Sequence, residues 1–252
     1  MSHIFMTDKG KVRQHNEDSG AVIINKSGQR LAIVADGMGG HRAGDIASSL
    51  TVERLTELWE NVEKIQSADE AENWFKANIL DVNRYVYDYQ VTHPECKGMG
   101  TTIIAVIATE NFLTIAHVGD SRCYLFNENG FNQITEDHSL VNELVRMGQI
   151  SKEDAEHHPR KNVVLRALGT DVNLDIDIIT MIFEQGDKVL ICSDGLSNKV
   201  SEQEMMGILN TNDTLQMKAN TLIEKANVNG GEDNITVVIL EHEEILQAGE
   251  EL

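Results

Sequence analysis

The feature that most constrains this chain is a series of short apolar, β-branched runs. They cover residues 21–24, 31–35, 102–108, 112–118, 123–126, 176–182, 188–192 and 235–240, and each is closed off by Gly, Asn, Asp or charged residues. Runs of that length and composition predict strands. Asn25-Lys26-Ser27-Gly28 and Asn127-Glu128-Asn129-Gly130 predict tight turns between neighbouring strands. Strands joined that closely pair antiparallel. Two long segments interrupt the series as a block. One repeats Ile46, Leu50, Leu55, Leu58, Val62 and Ile65 at helical spacing; the other aligns Ile79, Val82, Val86 and Tyr89 on one stripe. Shorter amphipathic pieces follow at 140–147, 201–209 and 214–226. The stripes read as core packing, not as a cofactor box. Helices grouped apart from turn-linked strands predict an α+β fold with helices outside antiparallel sheets.

At 252 residues the chain is long enough to bury a core without disulfides or structural metal. It has no repeat and no linker, and Pro94 and Pro159 are its only prolines. One domain over 1–243 is expected, followed by an acidic tail at 244–252 that frays. Acidic residues number 41 and basic residues 21, for a net charge of −20. That balance excludes nucleic acid and anionic membrane surfaces as main partners, since both require clustered Lys and Arg. Cys96, Cys123 and Cys192 form no CxxC spacing, which argues against a disulfide scaffold or thiolate zinc site and for a reducing compartment. The first residues lack a signal-peptide core, and no apolar run reaches the roughly 18 residues of a membrane span. A cytoplasmic protein is expected, and a monomer.

The chemistry lies in acids at strand ends. Asp36 follows LAIVA and precedes Gly37. Asp120 follows LTIAHVG, Asp194 follows KVLICS, Asp233 precedes the run starting at Ile235, and Asp18 precedes the first run. One such Asp is ordinarily a turn former or cap; five beside apolar runs are harder to explain that way. If the strand ends converge, the acids share a small volume, and either protonation or divalent cations must offset their repulsion. Oxygen donors without Cys or paired His favour Mg²⁺ or Mn²⁺. Gly37 would let a backbone carbonyl come close to such an ion. Arg13, just upstream of Asn16-Glu17-Asp18, offers a guanidinium for two phosphate oxygens.

In order along the chain stand RQHNED from Arg13, DGMGGH from Asp36, GTT from Gly100, VGDSR from Val118, DHS from Asp137, RALG from Arg166, SDG from Ser193 and DNIT from Asp233. Together they resemble the metal-dependent protein Ser/Thr phosphatases (the PPM family, 2C class) in their bacterial single-domain form. The resemblance implies a four-layer αββα sandwich of two antiparallel sheets flanked by helix pairs, with a mobile flap at about 139–162 beside a metal cleft. It implies two Mn²⁺ or Mg²⁺ ions that activate a water for attack on phosphoserine or phosphothreonine in proteins. Asp36 would bridge the ions, the Gly37 carbonyl would bind one, and Asp194 and Asp233 would complete the first site. Asp18 would serve the second, with help from Glu17. Asp120 with Asp194 would form a weaker third site, and Arg13 would hold the phosphate. Phosphoproteins are the implied partners, together with a cognate Ser/Thr kinase or its substrates.

One position departs from the pattern. Many eukaryotic relatives place a proposed general acid, His, directly after the Asp-Gly pair; here Met38 stands there and has no proton to give. His41 then becomes the candidate proton donor, with helix start or support as its alternative role. His117 is expected in the core, His138 as loop support, and His157 and His158 on the solvated flap. Cys192 lacks the Arg loop of a cysteine phosphatase and is expected in the core. A phosphoprotein-binding pseudophosphatase and a hydrolase of small phosphoesters are the competing readings. The chain has no GxxxxGK[ST] phosphate loop and no EF-hand spacing.

Overall fold

The computed structural model of the protein describes residues 1–39 and 43–243. One sheet contains β1 (Ser2–Asp8), β11 (Ile235–Glu241), β10 (Lys188–Cys192), β7 (Arg122–Asn127) and β8 (Gly130–Gln133) in that order. The other contains β2 (Asp18–Ile24), β3 (Arg30–Met38), β5 (Ile103–Ala108), β6 (Phe112–Val118) and β9 (Asp177–Ile182), with β4 (Gly100–Thr101) added beside the end of β3. Every strand pair is antiparallel. Both expected turns join paired strands, β2 to β3 and β7 to β8.

Side-chain alternation explains the layering. In β3, Leu31, Ile33 and Ala35 face α1 (Ala43–Glu60) and α2 (Ala68–Thr92), whereas Ala32 and Val34 face the other sheet. Residues Ile103, Ala105 and Ile107 of β5 face the helices, and Ile104, Val106 and Ala108 face inward. On the second sheet, Leu190 and Val237 pack under α6 (Glu202–Leu209) and α7 (Leu215–Val228), while Val189 and Val238 fill the space between sheets. Three apolar layers therefore separate four structural ones, and the αββα architecture holds. Central strands are buried on both faces, so they read as unbroken apolar runs and not as alternating ones.

Helix α2 starts where capping chemistry allows. The Ser67 side chain accepts the Glu70 N–H at 3.2 Å, and Asp69 and Glu70 occupy the first turn of α2, where the helix dipole favours acids. The Trp59 and Trp74 rings meet edge to face at 5.2 Å and lock α1 to α2. Ile79, Val82 and Val86 are fully buried, as their stripe requires.

β1 carries no clear pattern in the sequence. SHIFMTD mixes polar and apolar residues, and the strand exists because it pairs with β11 along its whole length. His242 also lies against the fold: it is buried and its main chain exchanges hydrogen bonds with the 186–187 turn. The acidic tail expected at 244–252 lies outside the described residues. The 139–162 segment contains α3 (Leu140–Arg146) and α4 (Lys152–Glu156), both short, and α4 buries no residue.

Candidate active site

All five strand-end acids arrive at one end of the sandwich. Asp18 opens β2 and sits directly across from Asp36 in β3. Strand β6 runs parallel to β3 with β5 between them, so the turn carrying Asp120 emerges at the same end. β10 and β11 are antiparallel neighbours, which places Asp194, at the start of α5 (Asp194–Ser197), beside Asp233, just before β11.

Hydrogen bonds fix these ends. The Asp36 N–H donates to Thr102 Oγ1 at 3.0 Å, and the Asp36 carbonyl accepts from the Thr102 N–H at 2.9 Å and the Thr101 hydroxyl at 2.9 Å. The next residue, Gly37, donates its N–H to the Glu17 carbonyl at 3.1 Å. A side chain there would overlap the carbonyls of Gly44 and Glu17, so β3 and the start of α1 come this close only because position 37 is glycine. Asn234 is buried and acts as a clamp. Its Oδ1 accepts the Glu17 N–H at 2.8 Å, and its Nδ2 donates to the carbonyls of Lys9 at 2.9 Å and His15 at 3.0 Å. The loop bearing Arg13 is thereby tied to β11, and Arg13 Nη2 donates to Asp233 Oδ2 at 2.7 Å. Both members of that pair are partly exposed, so it adds at most about 1 kcal/mol to stability.

The electrostatics are unfavourable for a set of bare carboxylates. Burial, followed by the charges of Asp18, Asp194, Asp120 and Asp233, pushes the Asp36 carboxyl well above its ordinary range. Burial raises Asp18 to about 7 despite a hydrogen bond from the Ser193 hydroxyl at 2.8 Å. Asp120 rises to about 7 and Asp194 to about 6, in both cases from burial first and a neighbouring Asp second. Glu17 is raised by burial, with Arg13 opposing and Asp45 reinforcing the shift. Asp18 Oδ1 is buried with no hydrogen-bond partner. A carboxylate oxygen in that position strongly favours either a proton or a cation.

The donor set fits a hard divalent ion: it is all oxygen, it carries excess negative charge, and it includes an unpartnered buried oxygen. Among the described residues, no three His, Cys, Asp or Glu side chains close on one point as a finished cage. Arg13 and the Asn198 amide hold Asp233 and Asp194 instead, the latter at 3.0 Å. From Asp120 and Asp194 a groove of about 1070 Å³ runs between the 139–162 segment and α5–α6, lined in part by Lys161 and Lys199.

The structure thus brings Arg13, Asp18, Asp36, Gly37, Asp120, Asp194 and Asp233 to one end of the fold. His41 lies outside the described residues. His117 is buried, and burial lowers it to about 3. Cys192 is also buried, its thiol raised to about 12. His157 is exposed and His158 half-buried. Asp45 escaped the sequence reading. It lies in the first turn of α1, near enough to raise Glu17, and its Oδ1 is buried without a partner. Nothing in the sequence distinguishes it from an ordinary helix-start acid. Ser193 and Thr102 stand within the SDG and GTT motifs, but their hydrogen bonds to the Asp18 carboxyl and the Asp36 main chain escaped, because a contact with a remote residue leaves no local pattern.

Comparison with known proteins gives a consistent picture. The sequence pattern of the protein phosphatase 2C family matches residues 8–224. A serine/threonine phosphatase of Listeria welshimeri is 49% identical over 245 residues, which is 97% of each chain. The structure of an S. agalactiae serine/threonine phosphatase superposes with a TM-score of 0.91 at 39% identity, covering 96% of this chain and 99% of that one. The catalytic domain of the phosphatase PstP, solved with two manganese ions, superposes with a TM-score of 0.84 at 33% identity, covering 96% of this chain and 98% of that one.

Proposed function

Because this chain belongs to the protein phosphatase 2C family and is a metal-dependent protein serine/threonine phosphatase, we propose that the acid-lined end of its sandwich hydrolyses phosphoserine and phosphothreonine with two Mn²⁺ or Mg²⁺ ions, and that a third ion binds more weakly. The observation that carries the assignment of residues is the burial of Asp18, Asp36, Asp120 and Asp194 against one another, each raised by burial and by its neighbours' charge. Asp36, Asp194 and Asp233 would hold the first ion, Asp36 and Asp18 the second, the Gly37 carbonyl one of these two, and Asp120 with Asp194 the third. Bound there, the ions supply Lewis acidity and a nucleophilic water at neutral pH.

The protein's own groups do the rest. Arg13 is half-exposed and gives one N–H to Asp233, which leaves its other N–H donors for phosphoryl oxygens. Burial works against its charge while Asp233 raises it, so the guanidinium stays charged as negative charge spreads over those oxygens. Asn234 holds the Arg13 loop against β11, so substrate phosphate and the acids keep a fixed geometry. His41 is the proposed proton donor to the leaving oxygen, since Met38 cannot serve. The groove beside Asp194 accommodates the polypeptide flanking the phosphoresidue, consistent with phosphorylated proteins as substrates and with a cognate Ser/Thr kinase acting on the same sites.

The test is release of inorganic phosphate from matched phosphoseryl, phosphothreonyl and phosphotyrosyl peptides with Mn²⁺, alongside nucleotides. The expected result is turnover of the first two that EDTA stops and Mn²⁺ restores. Full activity in chelator, or preference for nucleotides, overturns the reading.

A further inference from the structure

His138 is the point where three remote segments meet. Its main-chain N–H donates to the Gly119 carbonyl at 2.7 Å, and its ring Nδ1 accepts the Gly119 N–H at 3.1 Å. Gly119 has a φ of +116°, and a side chain there would press on Thr102. The next residue is Asp120, buried among the site acids. On its far side, His138 Nε2 lies 3.1 Å from Asp177 Oδ2 in β9, and Asp177 Oδ1 accepts from Arg166 Nη1 at 3.1 Å. The third segment is 139–164, which leaves and returns at this residue. Ser139 pairs with Val164, the Leu140 N–H donates to the Val163 carbonyl at 2.8 Å, and the Leu165 N–H donates to the His138 carbonyl at 2.7 Å.

The tautomer follows from these contacts. A ring nitrogen that accepts an N–H carries no proton, so Nδ1 is bare and Nε2 donates to Asp177. Arg166 Nη1, 3.3 Å from Nε2, is then a neighbour and not a donor to it. The His117 ring stacks on His138 with centroids 4.6 Å apart and holds it flat. Asp177 sets the tautomer, and the tautomer provides the acceptor for Gly119. Among the described residues none of these contacts touches Arg13 or Asp36, so the ring positions other groups.

We propose that His138 is a positioning residue that fixes the Gly119–Asp120 turn and joins it to the base of the 139–164 segment, coupling that segment to cation binding at Asp120. The inference rests on the assignment of Asp120 to a cation. In the full chain, His138→Asn keeps an amide oxygen near the place of Nδ1. His138→Gln reaches toward Asp177 and loses the acceptor. Asp177→Asn donates to Nε2 and drives the proton onto Nδ1.

Two measurements on the metal-free protein test the turn and the segment. Exchange of the Gly119 amide should rise about tenfold or more in His138→Gln and Asp177→Asn and stay within about threefold of wild type in His138→Asn. Proteolysis within 139–164 should quicken in the same two variants. With Mn²⁺ added, half-saturation of the weakest site should rise by about 10–100-fold in those two, while the phosphopeptide KM at saturating Mn²⁺ stays within about twofold. Unchanged exchange and half-saturation in His138→Gln and Asp177→Asn overturn the proposal. So does an equal loss in all three variants that tracks thermal stability, because that pattern marks general packing. Asp120→Asn separates the two readings. If it leaves the Mn²⁺ titration unchanged, the cation assignment fails and the coupling falls with it; if it weakens the titration while the two variants do not, the role of His138 alone fails.

Discussion

The two ends of the sandwich are made from the same strands and treat buried polar groups in opposite ways. At the end away from the acids, Asn25 is buried and its Oδ1 accepts the Ser27 N–H at 3.1 Å, the Ser27 hydroxyl at 3.0 Å and the Gln29 N–H at 2.9 Å. Gln29 exchanges two bonds with Ile65 in the α1–α2 loop, and Thr109 Oγ1 accepts from Asn111 and Phe112. There, side chains that could destabilise the fold instead complete their own turns. At the acid end, four carboxyls are raised by burial and by one another, and Asp18 Oδ1 has no partner at all. One end contributes to stability and register; the other stores repulsion that the proposed cations would relieve. A fold with a well-satisfied far end tolerates a frustrated near end, as expected when strain is concentrated at a functional site.

The sharpest test of that contrast is Asp36→Asn. Turnover should fall by about 10³-fold or more, equivalent to several kcal/mol of transition-state stabilisation. The chelated variant should melt no lower than chelated wild type, because neutralising one acid relieves the others. A large loss of stability would mean that the two ends do not differ in kind.

The pH dependence of the chelated protein is the next test. Asp18 and Asp120 are raised from 3.8 to about 7 on folding, so the folded state binds more protons than the unfolded state between those values. Their contribution is full below about pH 4 and is lost as pH rises toward 7. Thermal melting of the metal-free protein should therefore be higher at pH 5 than at pH 8, and saturating Mn²⁺ should flatten or reverse the trend, adding about 2.7 kcal/mol at a hundred times its Kd. A chelated protein equally stable at both pH values would remove the frustration from the acid end.

Arg13→Ala should raise the phosphopeptide KM by about tenfold, with a smaller change in kcat, as for lost ground-state binding of phosphate. An unchanged KM would return Arg13 to the surface. The smallest effect belongs to the far end. Asn25→Ala should cost about 1–2 kcal/mol in urea unfolding and leave kcat/KM unaltered. Lost activity there would show that the ends communicate.

Much of the molecule was legible before folding. Residues 31–35 and 102–108 announce strands through β-branched composition, and 79–89 announce a helix through spacing, because both signals come from the backbone's own period. Asp36, Asp194 and Asp233 were visible as acids at the ends of such runs. β1 was not, since an edge strand that takes its register from β11 along its whole length needs no strong pattern of its own. Asp45 and the contacts of Ser193 and Thr102 were hidden for a similar reason: their importance lies in which remote atoms they face.

Most strands, the two long helices, the order of the motifs and the excess of acid at strand ends can be read from the chain alone, because each depends on residues close together in it. That Asp18 faces Asp36, that Asn234 reaches Glu17 and Lys9, 217 and 225 positions away, and that His138 grips Gly119 emerges only once the layers are assembled. Sheet order and the pKa of a buried acid are properties of the assembled layers. They arise when burial removes water and brings like charges together, and no stretch of chain carries that energy alone.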